Sequence, residues 1–327
     1  MYTNILWFLL CAALITFSGT QLSKYGNQLA DLTGLSKAWI GLILMATVTS
    51  LPELVTGLSA VIVVEAPDLA AGNILGSCVF NLLILSLLDV MVKKPITSLV
   101  KPSHLVAGSF GIMLLASAGV AIVLATQTTN VLWFSPFTPV LLLLYFASMR
   151  GIFLHEKSQS ETDVDRQPAS GTKSTIRKAL FIYCLHALIV ISAALFLPYF
   201  GENIAQQTGL SDSFFGTLFL AITTSLPEFV ISISALRIGA LDMAMGNLMG
   251  SNVFNIFVLG ICDLFYTSGS FYAAISQTHL LSILASIVMT AVVAIGLIVR
   301  PEKKIWRLSL DTFTILIIYI LLMFTLK

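Results

Sequence analysis

Charge is scarce in this sequence. Only 10% of its 327 residues are Asp, Glu, Lys or Arg, against roughly 25% in a soluble domain, while 57% are hydrophobic and the mean hydropathy is +0.96. Too little polar surface is available to cover such a chain in water, so its solvent is lipid. Its four cysteines, Cys11, Cys78, Cys184 and Cys262, show no CxxC spacing and read as buried thiols rather than metal ligands. The histidines form no HExxH pattern, which argues against a zinc site. His186, inside a span, reads as a hydrogen-bonding partner of a neighbouring helix, with proton handling as the other reading. A net charge of +1 implies no polyanion, and so no nucleic-acid partner. No basic residue precedes Asn4, so the first apolar run is expected to remain as a membrane span rather than act as a cleaved signal.

Long apolar runs fill most of the chain. A bilayer core about 30 Å thick takes roughly 20 apolar residues per helix. Ten runs qualify, at 4–23, 38–64, 69–92, 105–126, 131–154, 179–200, 214–236, 241–266, 279–299 and 309–326. The one polar stretch, 156–174, is rich in Ser, Thr and charge and suits a mobile cytoplasmic linker. Lys and Arg fall in alternate connections: Lys24 and Lys37, then Lys93, Lys94 and Lys101, then Arg150 to Lys178, Arg237, and finally Arg300 to Arg307. The connections 201–213 and 267–278 hold none, so the positive-inside rule places both termini outside the cytoplasm. No separate soluble domain and no obligate protein partner is implied.

The sequence repeats itself. Residues 26–54, ending ATVTSLPEL, answer to 201–229, ending AITTSLPEF, and AGNILGSCVFNLLIL at 71–85 answers to MGNLMGSNVFNIFVL at 245–259. Five spans separate each residue from its copy, and five is odd, so the second half is expected to enter the membrane upside down. The fold class is therefore an all-α membrane protein of ten transmembrane helices in two inverted five-helix repeats, 1–155 and 178–327, joined by a cytoplasmic linker at 156–177. Such repeats, interrupted by Gly and Pro at matching places, mark alternating-access transporters with a site near the midplane.

The repeated segments carry the chemistry. A charge inside a membrane helix costs at least about 2.5 kcal/mol, yet Glu53 and Glu228 lie in the interior of the second and seventh spans at equivalent positions. Pro52 and Pro227 precede them, and each proline removes a backbone donor and frees a carbonyl. Ala46, Thr49, Ser50 and Glu53 are spaced to share one helix face, as are Ala221, Thr224, Ser225 and Glu228. Ser77 with Asn81, and Ser251 with Asn255, add a hydroxyl and an amide at i and i+4 in the next span of each copy. Every donor atom in this set is oxygen, which suits calcium or sodium rather than zinc, copper or iron. Close helix packing is the competing reading for the small and hydroxyl residues, Thr49 and Ser225 among them. Gly72, Gly76, Gly246 and Gly250 are expected to let spans 2 and 3, and 7 and 8, approach closely. Asn73 and Asn247 are expected to bond backbone freed at the breaks, with a ligand role as the other reading. Asp89 and Asp263, also equivalent, lie toward span ends, where an Asp can reach water.

These motifs, ATVTSLPEL with GNILGSCVFN and AITTSLPEF with GNLMGSNVFN, resemble the paired alpha repeats of the calcium/cation antiporter superfamily, to which sodium/calcium exchangers belong. The resemblance is specific over 41–88 and 216–263. It implies a central calcium site with flanking sodium sites. Calcium would be held by Glu53 and Glu228 with carbonyls near Thr49 and Thr224, and sodium by Ala46, Ser50, Ser77, Ala221, Ser225 and Ser251. One of the positions matching Asn81 and Asn255 is usually Asp in well-known sodium/calcium exchangers, whereas both are Asn here. Two carboxylates balance one calcium, and three sodium ions would exceed them by one charge. The function expected is secondary exchange of calcium for sodium, with no cofactor and with inorganic cations and the lipid bilayer as partners. A proton-coupled or other-cation antiporter is the alternative, and a channel or intramembrane hydrolase is a third class. The hydrolase lacks a nucleophile and base pair within the spans.

Overall fold

The computed structural model describes residues 2–127, 132–162, 173–208 and 223–326. Its helices are α1 Tyr2–Thr33, α2 Lys37–Trp39, a π-helical turn Ile40–Met45, α3 Ala46–Ile62, α4 Pro67–Met91, α5 Ile96–Leu99, α6 His104–Leu124 and α7 Phe137–Thr162. They continue as α8 Lys173–Thr208, α9 Leu226–Arg237, α10 Leu241–Phe265, α11 Phe271–Ala274, α12 His279–Val299 and α13 Leu310–Thr325. Lipid offers no hydrogen bonds, so backbone inside it must bond to itself, and helices do this within one segment.

Eight described helices are long and apolar enough to cross a membrane: Tyr2–Thr33, Lys37–Ile62, Pro67–Met91, His104–Leu124, Phe137–Ser158, Lys173–Ile204, Leu241–Phe265 and His279–Val299. The apolar α13 has 16 residues. Of the span expected at 214–236, only the part from 223 lies within the described residues, and α9 takes up most of it. Both the interior and the surface are rich in apolar side chains, with a set of polar groups buried among them. Phe17, Leu143, Phe181 and Phe324 are 61–71% exposed, whereas Glu53, Asn81, Asp89, Glu228 and Asn255 are at most 1% exposed. Apolar side chains face the solvent because that solvent is lipid, and polar groups turn inward to find partners.

The chain forms two compact units, Met1–Pro52 with Glu156–Leu248, and Glu53–His155 with Met249–Lys327. Each draws segments from both sequence repeats, because α3 and α10 each pass from one unit into the other. In the first unit α1 packs along α8 and α9. Its 32 residues span about 48 Å, more than the hydrocarbon thickness, so α1 must tilt or project. Its core joins Cys11 and Ile15 to Ala193, Ala194 and Leu197. In the second unit α6 packs on α12, and α4 on α12 and α13. Ile74, Leu75 and Cys78 meet Leu114, Val258, Leu259 and Phe271 in its core.

Several expectations change here. Cys184 is exposed on α8, facing lipid, while the other three cysteines are buried. The His186 ring packs edge-on against Phe17 at 5.9 Å between centroids, and its Nδ1 has no hydrogen-bond partner. The linker begins later than 156, since α7 continues to Thr162. Glu156 is buried and accepts a 2.6 Å hydrogen bond from the Ser36 hydroxyl, so it belongs to the packed unit. Residues 163–172 lie outside the described residues.

Asp89 and Asp263 do not reach water, for both are fully buried. Asp89 Oδ1 accepts from the Ile96 amide at 2.7 Å, and its Oδ2 accepts from the Ser309 amide and the Thr312 hydroxyl, both at 2.8 Å. Asp263 Oδ1 accepts from the Phe271 amide at 2.7 Å, and its Oδ2 accepts from the Ser135 amide at 2.8 Å and the Thr138 hydroxyl at 2.5 Å. The donors correspond pair by pair across the sequence repeat, Ile96 with Phe271, Ser135 with Ser309 and Thr138 with Thr312. Each aspartate therefore clamps the end of its span to the segment that follows and to the start of a later helix. Asp89 also pairs with Lys304 at 3.0 Å. Asp263→Ala would strand three buried donors, and Asp89→Ala would strand the Ile96 and Ser309 amides and remove the Lys304 pair, at about 1–3 kcal/mol for each donor. We expect a clear fall in the thermal midpoint of detergent-solubilised protein, with the cation KM of the surviving fraction unchanged. An unchanged midpoint with lost transport would contradict the clamp.

Candidate cation-binding site

The second span is assembled in three pieces. Ser36 caps α2 by accepting from the Trp39 amide at 3.0 Å. The π-helical turn follows, and the Ala46 amide reaches back to the Gly41 carbonyl, five residues earlier. One extra residue per turn rotates everything after it relative to a regular helix, and such turns recur at functional sites. Gly41 sits so close to residue 243 that a Cβ would strike the Met243 carbonyl, and a Cβ on Gly246 would strike the Ala38 carbonyl. Gly246 therefore serves contact with the start of the second span rather than with the seventh. Gly72 makes only an ordinary 3.5 Å approach to His279, and Gly76 faces open space. These two do not serve close packing.

Proline acts differently in the two copies. Pro52 lies inside α3, which continues through it, so the Val48 carbonyl loses its helical donor. Pro227 instead stands in the first turn of α9, after a one-residue interruption at Ser225 (φ −92°, ψ 12°). Glu228 thus occupies a helix N-terminal turn, where the positive end of the helix dipole favours a carboxylate.

In the first unit Ala46, Thr49, Ser50, Ser225 and Glu228 are all buried, and Thr224 is half-buried. The Ser50 hydroxyl donates to Glu228 Oε1 over 3.4 Å. The single Thr49 hydroxyl proton is shared among the Ala46 carbonyl at 3.2 Å, Asn247 Oδ1 at 3.4 Å and the Glu228 carboxylate. Glu228 Oε2 has no hydrogen-bond partner. The Glu228 carboxylate thus draws on a Thr49 proton that other acceptors share, a setting that suits a cation. Asn247 also donates to the Ser232 hydroxyl at 3.0 Å, so its amide bonds side chains rather than freed backbone. Ala221 lies outside the described residues.

In the second unit Glu53 is buried, and the Ser77 hydroxyl donates to its Oε1 over 3.5 Å. Asn73 donates to the Thr56 hydroxyl at 3.1 Å, again a side chain rather than backbone. Asn81, Ser251 and Asn255 are buried on α4 and α10. Asn81 Nδ2 donates to Asn252 Oδ1 at 3.0 Å, while Asn81 Oδ1 has no partner. The Cys78 thiol, a weak donor, lies beside Asn255, and neither amide atom of Asn255 makes a full hydrogen bond. Sequence reasoning missed Ser232 and Asn252. Ser232 carries no signal distinguishing it from a packing residue. Asn252 stands next to Ser251 in the repeated motif but faces a cysteine in the other copy, so the repeat itself hides it.

An all-helical membrane chain with acceptor-rich clusters around buried glutamates belongs to a class that handles cations within the bilayer. Comparison with known proteins makes the class definite: the family described as sodium/calcium exchanger protein matches residues 3–153 and 178–326. The chain belongs to this family and is an integral membrane protein. It is 29% identical over 281 residues to the inner membrane protein YrbG of Escherichia coli (strain K12), covering 84% of each chain. It is 35% identical over 138 residues to the sodium/calcium exchanger MaX1 of Methanosarcina acetivorans, covering 41% of this chain and 39% of that one. A solved structure of the sodium-calcium exchanger NCX_Mj superposes with a TM-score of 0.76 at 21% identity, covering 99% of each chain, and so shares the fold.

Proposed function

We propose that this protein is a secondary antiporter that exchanges calcium for sodium by alternating access. The observation that carries this reading is Glu228, a carboxylate 1% exposed within a membrane segment, with one oxygen lacking any donor and surrounded by shared hydroxyl protons. A buried anion so placed needs a cation, and oxygen ligands with no thiol or imidazole favour calcium and sodium. Glu53 and Glu228 supply two negative charges for one calcium. The Thr49 and Thr224 carbonyls complete the calcium ligands, and Ala46, Ser50, Ser77, Ala221, Ser225 and Ser251 serve sodium. Ten spans in two inverted repeats, both termini outside, and a plasma or inner membrane location belong to the same proposal. The support is the family membership, the duplicated motifs and the alternation of basic connections.

A proton-coupled antiporter is the second reading, and one observation favours it. Asn81 and Asn255 are both neutral, so each glutamate could take a proton where a third carboxylate would otherwise hold sodium. Asn255→Asp would add a charge to the transported complex, and one elementary charge moved across 100 mV is worth about 2.3 kcal/mol. We expect this substitution to steepen the dependence of calcium flux on membrane potential and to raise cation affinity. Identical voltage dependence would show that position 255 does not set the transported charge. The carrier itself is tested by counterflow: unlabelled calcium inside vesicles should accelerate uptake of labelled calcium. Uptake indifferent to internal calcium would indicate a channel.

A further inference from the structure

Asn252 lies on α10, bonds across to α4 and is 4% exposed. Its Nδ2 donates to the Cys78 carbonyl at 3.0 Å, and its Oδ1 accepts from Asn81 Nδ2 at 3.0 Å. These contacts fix the sense of both amides. A carbonyl only accepts, so the Asn252 atom facing Cys78 must be nitrogen. The other Asn252 atom is then oxygen, so Asn81 must turn its nitrogen toward it. Flipping either amide would set nitrogen against nitrogen or oxygen against oxygen. The remaining atom, Asn81 Oδ1, is left buried and without a partner. We propose that Asn252 is a positioning residue that holds Asn81 with its amide oxygen presented as a cation ligand. This deepens the transport reading above and rests on it.

The other copy lacks the device. The position equivalent to Asn252 is Cys78, whose thiol makes only a weak 4.0 Å contact to the Asn252 carbonyl. A thiol is both a weak donor and a weak acceptor, so it selects neither orientation of the adjacent Asn255 amide. The duplicated asparagines have therefore diverged: Asn81 is a fixed oxygen ligand and Asn255 an adjustable one.

A double-mutant cycle on full-length protein in vesicles tests the proposal, reading the calcium KM and maximal rate separately. Asn252→Leu keeps the volume and removes both amide bonds. It should raise KM about tenfold, a typical effect of losing an oriented hydrogen-bonding group, with the maximal rate changed less than about twofold. In the Asn81→Ala background the same substitution should leave KM unchanged, and in the Asn255→Ala background it should again raise it about tenfold. Asn252→Ser, too short to reach Asn81, replaces Leu in the cycle if the leucine variant fails to fold. A KM unaffected by either variant, or effects that add in the Asn81→Ala background, overturns the positioning role. Glu53→Gln, measured in parallel, separates the two ideas: if it stops exchange while the cycle is additive, only the role of Asn252 is lost. Normal exchange in Glu53→Gln removes Glu53 from the site on which the transport reading is built, and no calcium exchange by the unaltered protein removes that reading itself.

Discussion

Glu53→Gln and Glu228→Gln are each expected to reduce calcium exchange to background while leaving the protein inserted and folded. Glutamine keeps the size and one oxygen but removes the charge. At an effective dielectric of about 20, a unit charge about 4 Å from its partner contributes about 4 kcal/mol, or roughly a thousandfold in occupancy. The same change should not harm folding, because a neutral amide is easier to bury than a carboxylate whose Oε2, in Glu228, has no donor. Thermal midpoints equal to or above wild type are therefore expected beside the lost flux. Near-normal exchange in either variant would remove that glutamate from the transport path.

Gly246→Ala should be among the most damaging small substitutions in the chain, and Gly76→Ala among the most harmless. A Cβ on Gly246 would collide with the Ala38 backbone carbonyl, and backbone on both sides has no rotamer through which to yield. Overpacking of this kind costs about 1–3 kcal/mol or more. Gly76 lies in α4 with nothing within 4 Å of an added methyl, so alanine there gains up to about 1 kcal/mol of helix propensity. Measured by thermal unfolding in detergent, the first variant should lose most of its folded yield and the second should match or exceed wild type. Equal midpoints for the two would show that contact at residues 38 and 246 is not close.

The glycine contrast shows what the sequence could and could not disclose. Gly76 and Gly246 belong to the same repeated motif, and sequence assigned them the same packing role. They stand at different places in it, Gly76 matching Gly250 and Gly246 matching Gly72, and the close approach of residue 38 to Gly246 is one that no local pattern announces. The buried glutamates were legible because their cost in lipid makes any span carboxylate conspicuous, and because each occurs twice. Asp89 and Asp263 were equally conspicuous, yet their donors at 96, 309 and 312, and at 271, 135 and 138, come mostly from distant segments. A clamp and an ion ligand look alike until those donors are in place. Pro52 and Pro227 share one motif but differ in the helix around them, since α3 runs on and α9 begins afresh. The lipid-facing Cys184 was missed because presence inside a span does not say which face of the helix is buried.

The central claim, that a sodium gradient drives calcium across the membrane through these residues, is tested most directly by calcium uptake into vesicles containing the purified protein. Vesicles loaded with sodium and diluted into sodium-free buffer should accumulate calcium, and collapsing the sodium gradient should stop the uptake. A pH gradient of equal size, without sodium, should not replace it. Calcium uptake that follows the pH gradient and ignores sodium would contradict the account and make the protein a proton-coupled member of the same family.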